Sequence, residues 1–284
     1  MSVLYLIFVT VTLSAQQVAQ KEYDKRARGG AYTYALIASL ASCLVFLITA
    51  GGVLEFRWDV SLYSVVFALG YCTAMVTGFL AIKTGSLSLS ALIMQYSLII
   101  PAVYGMVMLN EPLKITLFIG IVLLVVSLIL VNLNGKEENV RPTLKWAIFA
   151  GLSFIGNGAC ATAQKVQQVD FEGKYKSEFM IVGLLIVAVI LVVMMLISER
   201  KDFAHNVKHG GLLCAGSGVS NGICNFFMMV LAGMLPASVM YPVVSAGGTI
   251  ATSLAALLIY REKMSKQQLV GLGLGILAIV ALNL

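Results

Sequence analysis

The chain has 284 residues, of which 60% are hydrophobic and only 11% are charged, and its mean hydropathy is +0.94. Soluble proteins carry roughly 25% charged residues, and even a large soluble domain leaves about a quarter of its unfolded-chain surface exposed, so this composition excludes a soluble globular fold. The net charge of +6 is spread over short loops, which excludes a nucleic-acid-binding face and favours contact with anionic lipid headgroups. The sequence therefore predicts an all-α integral membrane protein that has the lipid bilayer as a partner.

Ten apolar windows follow one another along the chain, and each is long enough to cross about 30 Å of hydrocarbon, which takes around 20 helical residues. They are Ser2 to Gln20, Ala31 to Leu54, Val60 to Ile82, Ser86 to Leu109, Leu113 to Leu133, Thr143 to Gln164, Glu178 to Ser198, Gly210 to Leu231, Ala237 to Ile259 and Gln267 to Leu284. The first window lacks the basic start and the Ala-x-Ala cleavage site of a signal peptide. We therefore predict ten transmembrane helices joined by short loops.

The second half of the chain repeats features of the first. Ala19-Gln20-Lys21 corresponds to Ala163-Gln164-Lys165 after a shift of 144 positions, and Glu111 corresponds to Glu262 after a shift of 151. A drift of seven positions is what small loop insertions produce. Self-similarity at a fixed period indicates a duplicated unit.

We therefore predict two five-helix repeats, residues 1–134 and 143–284, joined by a linker of residues 135–142 that contains charges, Gly and Pro. An odd number of helices per repeat makes the second repeat enter the membrane from the opposite side. Inverted repeats are typical of secondary transporters, whose solute site lies near the bilayer midplane. We expect a small-molecule solute as the second partner and a monomer or a homodimer.

The turn before the last helix of each repeat carries a recognisable motif. It reads Asn110-Glu111-Pro112-Leu113 in the first repeat and Arg261-Glu262-Lys263-Met264 in the second. Over essentially the whole chain this pattern resembles the EamA-type branch of the drug/metabolite transporter superfamily, in which the turn usually reads Gly-Glu-Arg-Leu. The family's first helix carries an aromatic-glycine motif before a lysine; here Leu13-Ser14-Ala15-Gln16-Gln17 stands before Lys21. The resemblance implies a plasma-membrane transporter. We also predict that the protein is not an enzyme, because the windows offer no nucleophile with a base, no metal ligands and no embedded acid.

Charged residues are expected to be absent from the centre of the spans. All thirteen acids fall in loops or near window ends, as a charge at the bilayer centre costs at least about 2.5 kcal/mol. Small multidrug-resistance proteins, which resemble one half of this fold, use a first-helix glutamate to exchange protons for cations. We therefore predict transport of small polar metabolites without an embedded carboxylate for proton coupling.

The polar residues inside the windows are carboxamides and hydroxyls, which both donate and accept hydrogen bonds. The predicted substrate-binding residues are Gln16, Gln17, Tyr71, Gln95, Tyr96, Asn157, Asn221, Asn225, Tyr241 and Ser245. The same residues would also serve as hydrogen-bonding contacts between helices, and the tyrosines would also serve as packing residues.

Two windows contain helix-breaking residues that suggest hinges for an alternating-access motion. A proline inside a span frees a carbonyl and favours a kink. The predicted hinge residues are Pro101, Pro242, Gly247 and Gly248. Helices that are bent but do not move explain these residues equally well.

Other chemistries find little support in the sequence. The five cysteines lie in apolar runs and are expected to be small buried hydrophobes, and we predict no metal site and no cofactor. His205 and His209 are expected in a solvated loop, and Lys21 and Lys165 are expected to extend to the headgroups. The alternatives to a carrier are a flippase for lipid-linked sugars, which an apolar lateral opening would favour, and a non-transporting membrane subunit.

The distribution of basic residues predicts the orientation of the chain. With a cytoplasmic amino terminus, the outer loops would hold fourteen of the 19 Lys and Arg residues. Because the positive-inside rule places such loops in the cytoplasm, a reporter fused after Leu284 is expected outside the cell. The family resemblance, in contrast, implies that both termini are inside. Cytoplasmic labelling of the reporter would contradict the orientation predicted from the basic residues.

Overall fold

The structure is a computed structural model that describes residues 2–28, 30–52, 54–84, 90, 93–94, 96–111, 115–132, 143–260 and 265–282. These residues form helices joined by turns and short irregular segments, and no strand occurs among them. The helices are α1 (Ser2–Asp24), α2 (Ala31–Thr49), α3 (Trp58–Thr84), α4 (Ile99–Met108), α5 (Ile115–Asn132), α6 (Leu144–Asp170), α7 (Lys176–Ser198), α8 (Phe203–Met234), α9 (Ala237–Tyr260) and α10 (Lys266–Leu282).

Six of these helices are long and apolar enough to cross a membrane: α2, α3, α6, α7, α8 and α9. Two further apolar stretches, Ile99–Met108 and Phe118–Val131, are shorter. Many large apolar side chains on the helices are exposed, for example Val189 and Val193 on α7. Lipid offers no hydrogen bonds to the backbone, and in a helix the amides and carbonyls of one segment bond to each other. The all-helical, multi-pass membrane class predicted from composition is confirmed.

The chain divides into two compact units. Unit 1 contains Met1–Leu69 and Val166–Gly233, and unit 2 contains Gly70–Lys165 and Met234–Leu284. Each unit thus draws on both halves of the sequence.

In unit 1, α2 packs against α7, and α3 also contacts α7 through two of its side chains. The ring of Phe67 meets that of Phe179 edge to face, with ring centroids 5.5 Å apart. The hydroxyl of Ser64 donates to the carbonyl of Phe179 over 2.9 Å, so this contact combines an aromatic pair with a hydrogen bond.

In unit 2, α9 packs against α4, α5 and α10, and α5 also packs against α10. The hydroxyl of Ser127 on α5 donates to the carbonyl of Gly271 on α10 over 2.6 Å. Helices α3 and α6 approach each other at Gly70 and Gly156, where a side chain on either residue would meet backbone atoms of the facing helix. Small residues at such crossings are what bring membrane helices close together.

Several helix boundaries differ from the predicted windows by a few residues, and three of these differences are notable. Helix α8 begins seven residues before Gly210, so His205 and His209 lie on a helix and the loop predicted for them is wrong. Helix α2 ends at Thr49, five residues before the window ends. Gly51 and Gly52 follow it with φ values of 65° and 82°, a backbone conformation that stops a helix.

The third difference lies in the fourth window. A turn at Ser97 and Leu98 precedes α4, and residues 90, 93–94 and 96 before this turn are helical. The predicted linker of residues 135–142 lies outside the described residues.

The close approach of α3 and α6 gives a stability prediction. Replacing Gly156 by Ala would place a methyl group 2.7 Å from the carbonyl oxygen of Gly70, so the two backbones would have to separate. We expect the free energy of unfolding in detergent to fall by about 1–3 kcal/mol.

The matched control is Gly151→Ala on the same helix, because a side chain there would meet no atom within 4 Å. Equal losses of stability in the two variants would contradict the importance of this crossing.

Candidate functional site

A cluster of carboxamides joins α1 and α8 in unit 1. The Nδ2 of Asn221 donates to the Oε1 of Gln16 over 2.9 Å. The Oδ1 of Asn221 accepts from the Nδ2 of Asn225 over 3.0 Å and from the Ser42 hydroxyl over 3.3 Å. The structure therefore brings together three predicted site residues that lie up to 209 positions apart in the sequence. Gln17, in contrast, is exposed.

One donor of this cluster is left over. The Nε2 of Gln16 is buried and has no oxygen or nitrogen acceptor among the described residues; the thiol of Cys224 lies beside it and is a weak acceptor at best. An unsatisfied buried amide costs free energy unless a ligand or water accepts from it. The Gln16 amide is therefore the donor of the cluster that is not used on an oxygen or nitrogen of the described residues.

Two predicted residues of unit 2, Asn157 and Tyr241, behave differently, because their donors are used within the unit. Asn157 donates from Nδ2 to the Ser97 hydroxyl over 2.8 Å. Tyr241 is fully buried, and its hydroxyl donates to the carbonyl of Ala161 over 2.6 Å. Tyr71 is half-buried on α3. Gln95 lies outside the described residues.

The predicted hinge residues lie on the two helices that pack against each other. Pro242 is inside α9, and Gly247 and Gly248 follow on the same helix. Pro101 is in the first turn of α4, where its missing N–H removes no helical hydrogen bond. The discontinuity in this region is the turn at Ser97 and Leu98, just before α4. The hinge role of these residues remains a prediction.

An apolar cavity of about 550 Å³ lies among α4, α5 and α9. Three predicted residues, Tyr96, Pro242 and Ser245, contribute to its wall. The other lining residues are apolar: Leu98, Ile99, Ala102, Val103, Met106, Ile115, Phe118, Ile121, Leu124, Val125 and Leu128. Because these residues are apolar, their polarity does not distinguish them in the sequence from residues that face lipid. Their helical spacing along α5 is the signal that marks them as one face.

A buried ion pair holds the start of α9. Both oxygens of the Glu111 carboxylate accept from backbone amides, those of Ala237 and Ser238, over 2.7 and 2.9 Å. The Nζ of Lys165 is 3.6 Å from Glu111 and donates to the carbonyl of Leu235 over 2.7 Å. A carboxylate on the first amides of a helix also interacts favourably with the helix dipole.

This arrangement corrects the expectation for Lys165. Its side chain is only 6% exposed, so it pairs inside the protein and does not extend to the headgroups. Lys21, its counterpart in the first repeat, is exposed.

Unit 1 uses the same kind of contact at the start of α2. The carboxylate of Glu199 accepts from the amides of Tyr32 and Thr33 over 2.9 and 2.8 Å, and from the Thr33 hydroxyl. Beside it, the buried hydroxyl of Tyr23 donates to the carbonyl of Gly30 over 2.9 Å. Burial raises the pKa of Tyr23 above its ordinary value, so this hydroxyl stays protonated and remains a donor.

Metal chemistry has no cluster to support it among the described residues, since no three His, Cys, Asp or Glu side chains come together there. The rings of His205 and His209 are in contact on the first turns of α8, tilted by 32° with centroids 4.2 Å apart. All five cysteines are buried, as their apolar surroundings predict.

Comparison with known proteins supports the fold and gives no function. No family model matches the chain, and no curated protein matches it. Among solved structures, 29 chains match. One of them, described only as the crystal structure of a protein, has a TM-score of 0.79 and 13% sequence identity, and the match covers 99% of this chain and 95% of that chain. At this identity the likeness shows a shared fold alone.

The buried ion pair gives a second stability prediction. Replacing Glu111 by Gln leaves the Lys165 charge buried without its counter-ion, so we expect a loss of about 3–5 kcal/mol in the free energy of unfolding. The double variant Glu111→Gln/Lys165→Met removes the uncompensated charge and should recover part of that loss.

The control is Lys25→Gln, which breaks the pair with Glu22, where the lysine side chain is 51% exposed, and which should cost no more than about 1 kcal/mol. Additive effects of the Glu111 and Lys165 substitutions would contradict a coupled pair.

Proposed function

We propose that the chain is a secondary transporter of small polar metabolites in the plasma membrane, similar to EamA-type drug/metabolite transporters. In this proposal ten transmembrane helices form two inverted five-helix repeats, and alternating access between the repeats moves the solute. No carboxylate embedded in a span couples the transport to protons.

The packing of counterpart helices is the observation that carries the proposal. If α1 to α5 repeat as α6 to α10, then α2 corresponds to α7, α4 to α9 and α5 to α10. Each of these three pairs is in direct contact. Contacts between counterparts are expected when a two-fold axis relates the repeats, because the elements nearest the axis meet their own copies. The interdigitation of both halves in each compact unit supports the same relation.

The chemistry of the carboxamide cluster supports a polar solute. Asn221 and Asn225 orient one another and hold Gln16 by its oxygen, which leaves the Gln16 amide as a donor in a fixed position. Preformed donors of this kind give specificity in otherwise apolar sites. Glu111, the buried acid near a span, already binds two amides and Lys165, so carboxamides and hydroxyls are left for the solute.

A flippase for lipid-linked sugars is the second candidate. The apolar cavity among α4, α5 and α9 favours it, because an isoprenoid or alkyl chain would need such a wall. Reconstituted protein that moves a fluorescent lipid-linked sugar between leaflets, and moves no water-soluble solute, would support the flippase over the carrier.

A transport screen tests the carrier. Purified protein in liposomes is offered amino acids, sugars, nucleosides and cations, with and without a proton gradient. We expect saturable uptake of a small polar solute that does not depend on the proton gradient. If no solute moves under any gradient, the carrier is excluded.

The glutamines of α1 give the matching prediction. Gln16→Ala removes the spare donor and frees Asn221 from its partner, so we expect transport to fall by about five- to tenfold, as for the loss of a buried hydrogen bond. Gln17→Ala, which changes an exposed neighbour, and Lys21→Ala should have much smaller effects. Equal losses for Gln16 and Gln17 would contradict a role of the cluster in solute binding.

A further inference from the structure

The cavity among α4, α5 and α9 has the size and composition of a ligand site. Its volume of about 550 Å³ falls within the range of roughly 300–1,000 Å³ that is typical of small-molecule pockets, which are mostly apolar with a few placed polar groups. All of its lining residues belong to unit 2, so the cavity is defined within one compact unit.

Tyr96 and Ser245 are the polar residues among the described residues that line the cavity. The Oγ of Ser245 is buried and has no hydrogen-bond partner among the described residues. The hydroxyl of Tyr96 donates to the carbonyl of Val125 over 3.0 Å, so its oxygen remains an acceptor. None of the described residues that line the cavity is Asp, Glu, Lys, Arg or His. A charged ligand group would lose its hydration here without a counter-ion, which favours an uncharged ligand.

The cavity extends along one helix face. Its lining residues on α5 begin at Ile115 and end at Leu128, thirteen positions or about 20 Å away along the axis. Ile115 and Phe118 are 79% and 70% exposed, whereas Leu128 is buried. In a membrane protein an exposed apolar face meets lipid, so the outer end of the cavity is open to molecules dissolved in the bilayer.

We propose that this cavity is a binding site for an uncharged, largely apolar small molecule that enters from the bilayer and forms a hydrogen bond with the hydroxyl of Ser245. A ketone, ester or amide oxygen on the ligand would accept from Ser245, and the apolar body would lie along α5. The cavity shares no residue with the carboxamide cluster of unit 1, and binding here does not require transport, so this proposal can be tested independently of the proposed function.

Benzophenone is a suitable probe, because it is apolar, carries one carbonyl acceptor and forms covalent bonds with nearby C–H groups under ultraviolet light. The full-length protein, in nanodiscs of phosphatidylcholine, is irradiated at increasing probe concentrations, and the labelled peptides are mapped by mass spectrometry. We expect saturable labelling of peptides from α4, α5 and α9. Non-saturable labelling spread over the lipid-facing helices would overturn the proposal.

Competition tests the two chemical claims. Diphenylmethane has the same shape without the carbonyl, and 4-benzoylbenzoate adds a negative charge. In the Ser245→Ala variant, benzophenone should bind about fivefold more weakly, as for the loss of one neutral hydrogen bond, whereas diphenylmethane should compete as well as before. Equal weakening of both compounds, or strong competition by 4-benzoylbenzoate, would overturn the assignment of Ser245 and of an uncharged ligand.

Occlusion tests the location. Ala102→Trp fills the cavity from α4 and should reduce saturable labelling by at least about tenfold, and Ile121→Trp should do the same from α5. Val107→Trp is the control, since this residue is exposed on α4 and does not line the cavity. Monodisperse elution and an unchanged unfolding midpoint identify the variants that fold. Full labelling in both folded occlusion variants would overturn the proposal.

Discussion

The absence of water from the hydrocarbon region is the constraint on which the rest of the structure depends. It requires each backbone amide and carbonyl to find a partner within the protein, and helices satisfy this need everywhere except at their ends. At the starts of α2 and α9, carboxylates from distant parts of the chain, Glu199 and Glu111, supply acceptors for the first amides. The buried charge of Glu111 is in turn compensated by Lys165. The same constraint thus selects the helices and determines where charges are allowed.

The same constraint separates polar residues that hold the protein together from those that can bind a ligand. Tyr241 and Asn157 use their donors on groups of their own unit, so they are accounted for by helix packing. Gln16 and Ser245 each leave a buried polar atom without a strong partner. Such atoms cost free energy in a membrane protein, and a bound solute or water removes that cost. Six buried side-chain atoms of the described residues lack a partner, and Gln16 and Ser245 are the two that also belong to the carboxamide cluster and to the lining of the cavity.

The fold class could be predicted from the sequence, whereas most of the site could not. Long apolar runs determine where helices form in lipid, so each helix lies close to a predicted window. Helix α8 begins before its window because the window contains only the apolar run, whereas the polar residues before Gly210 are helical as well. The contact between Gln16 and Asn221 joins residues 205 positions apart, and no local pattern contains that distance. The cavity could not be predicted from the sequence for another reason: its lining residues are mostly apolar, like those of any surface that faces lipid.

The contact between Glu111 and the start of α9 also bears on how the protein is made. Glu111 is synthesised 126 residues before the first amide that it binds and 54 residues before Lys165. While the first half of the chain is inserted into the membrane, this carboxylate has neither its counter-ion nor its backbone donors. Its contacts with Lys165 and with the start of α9 can therefore form only after these parts of the second half have been synthesised. The position of one acid thus links the order of synthesis to the order of packing.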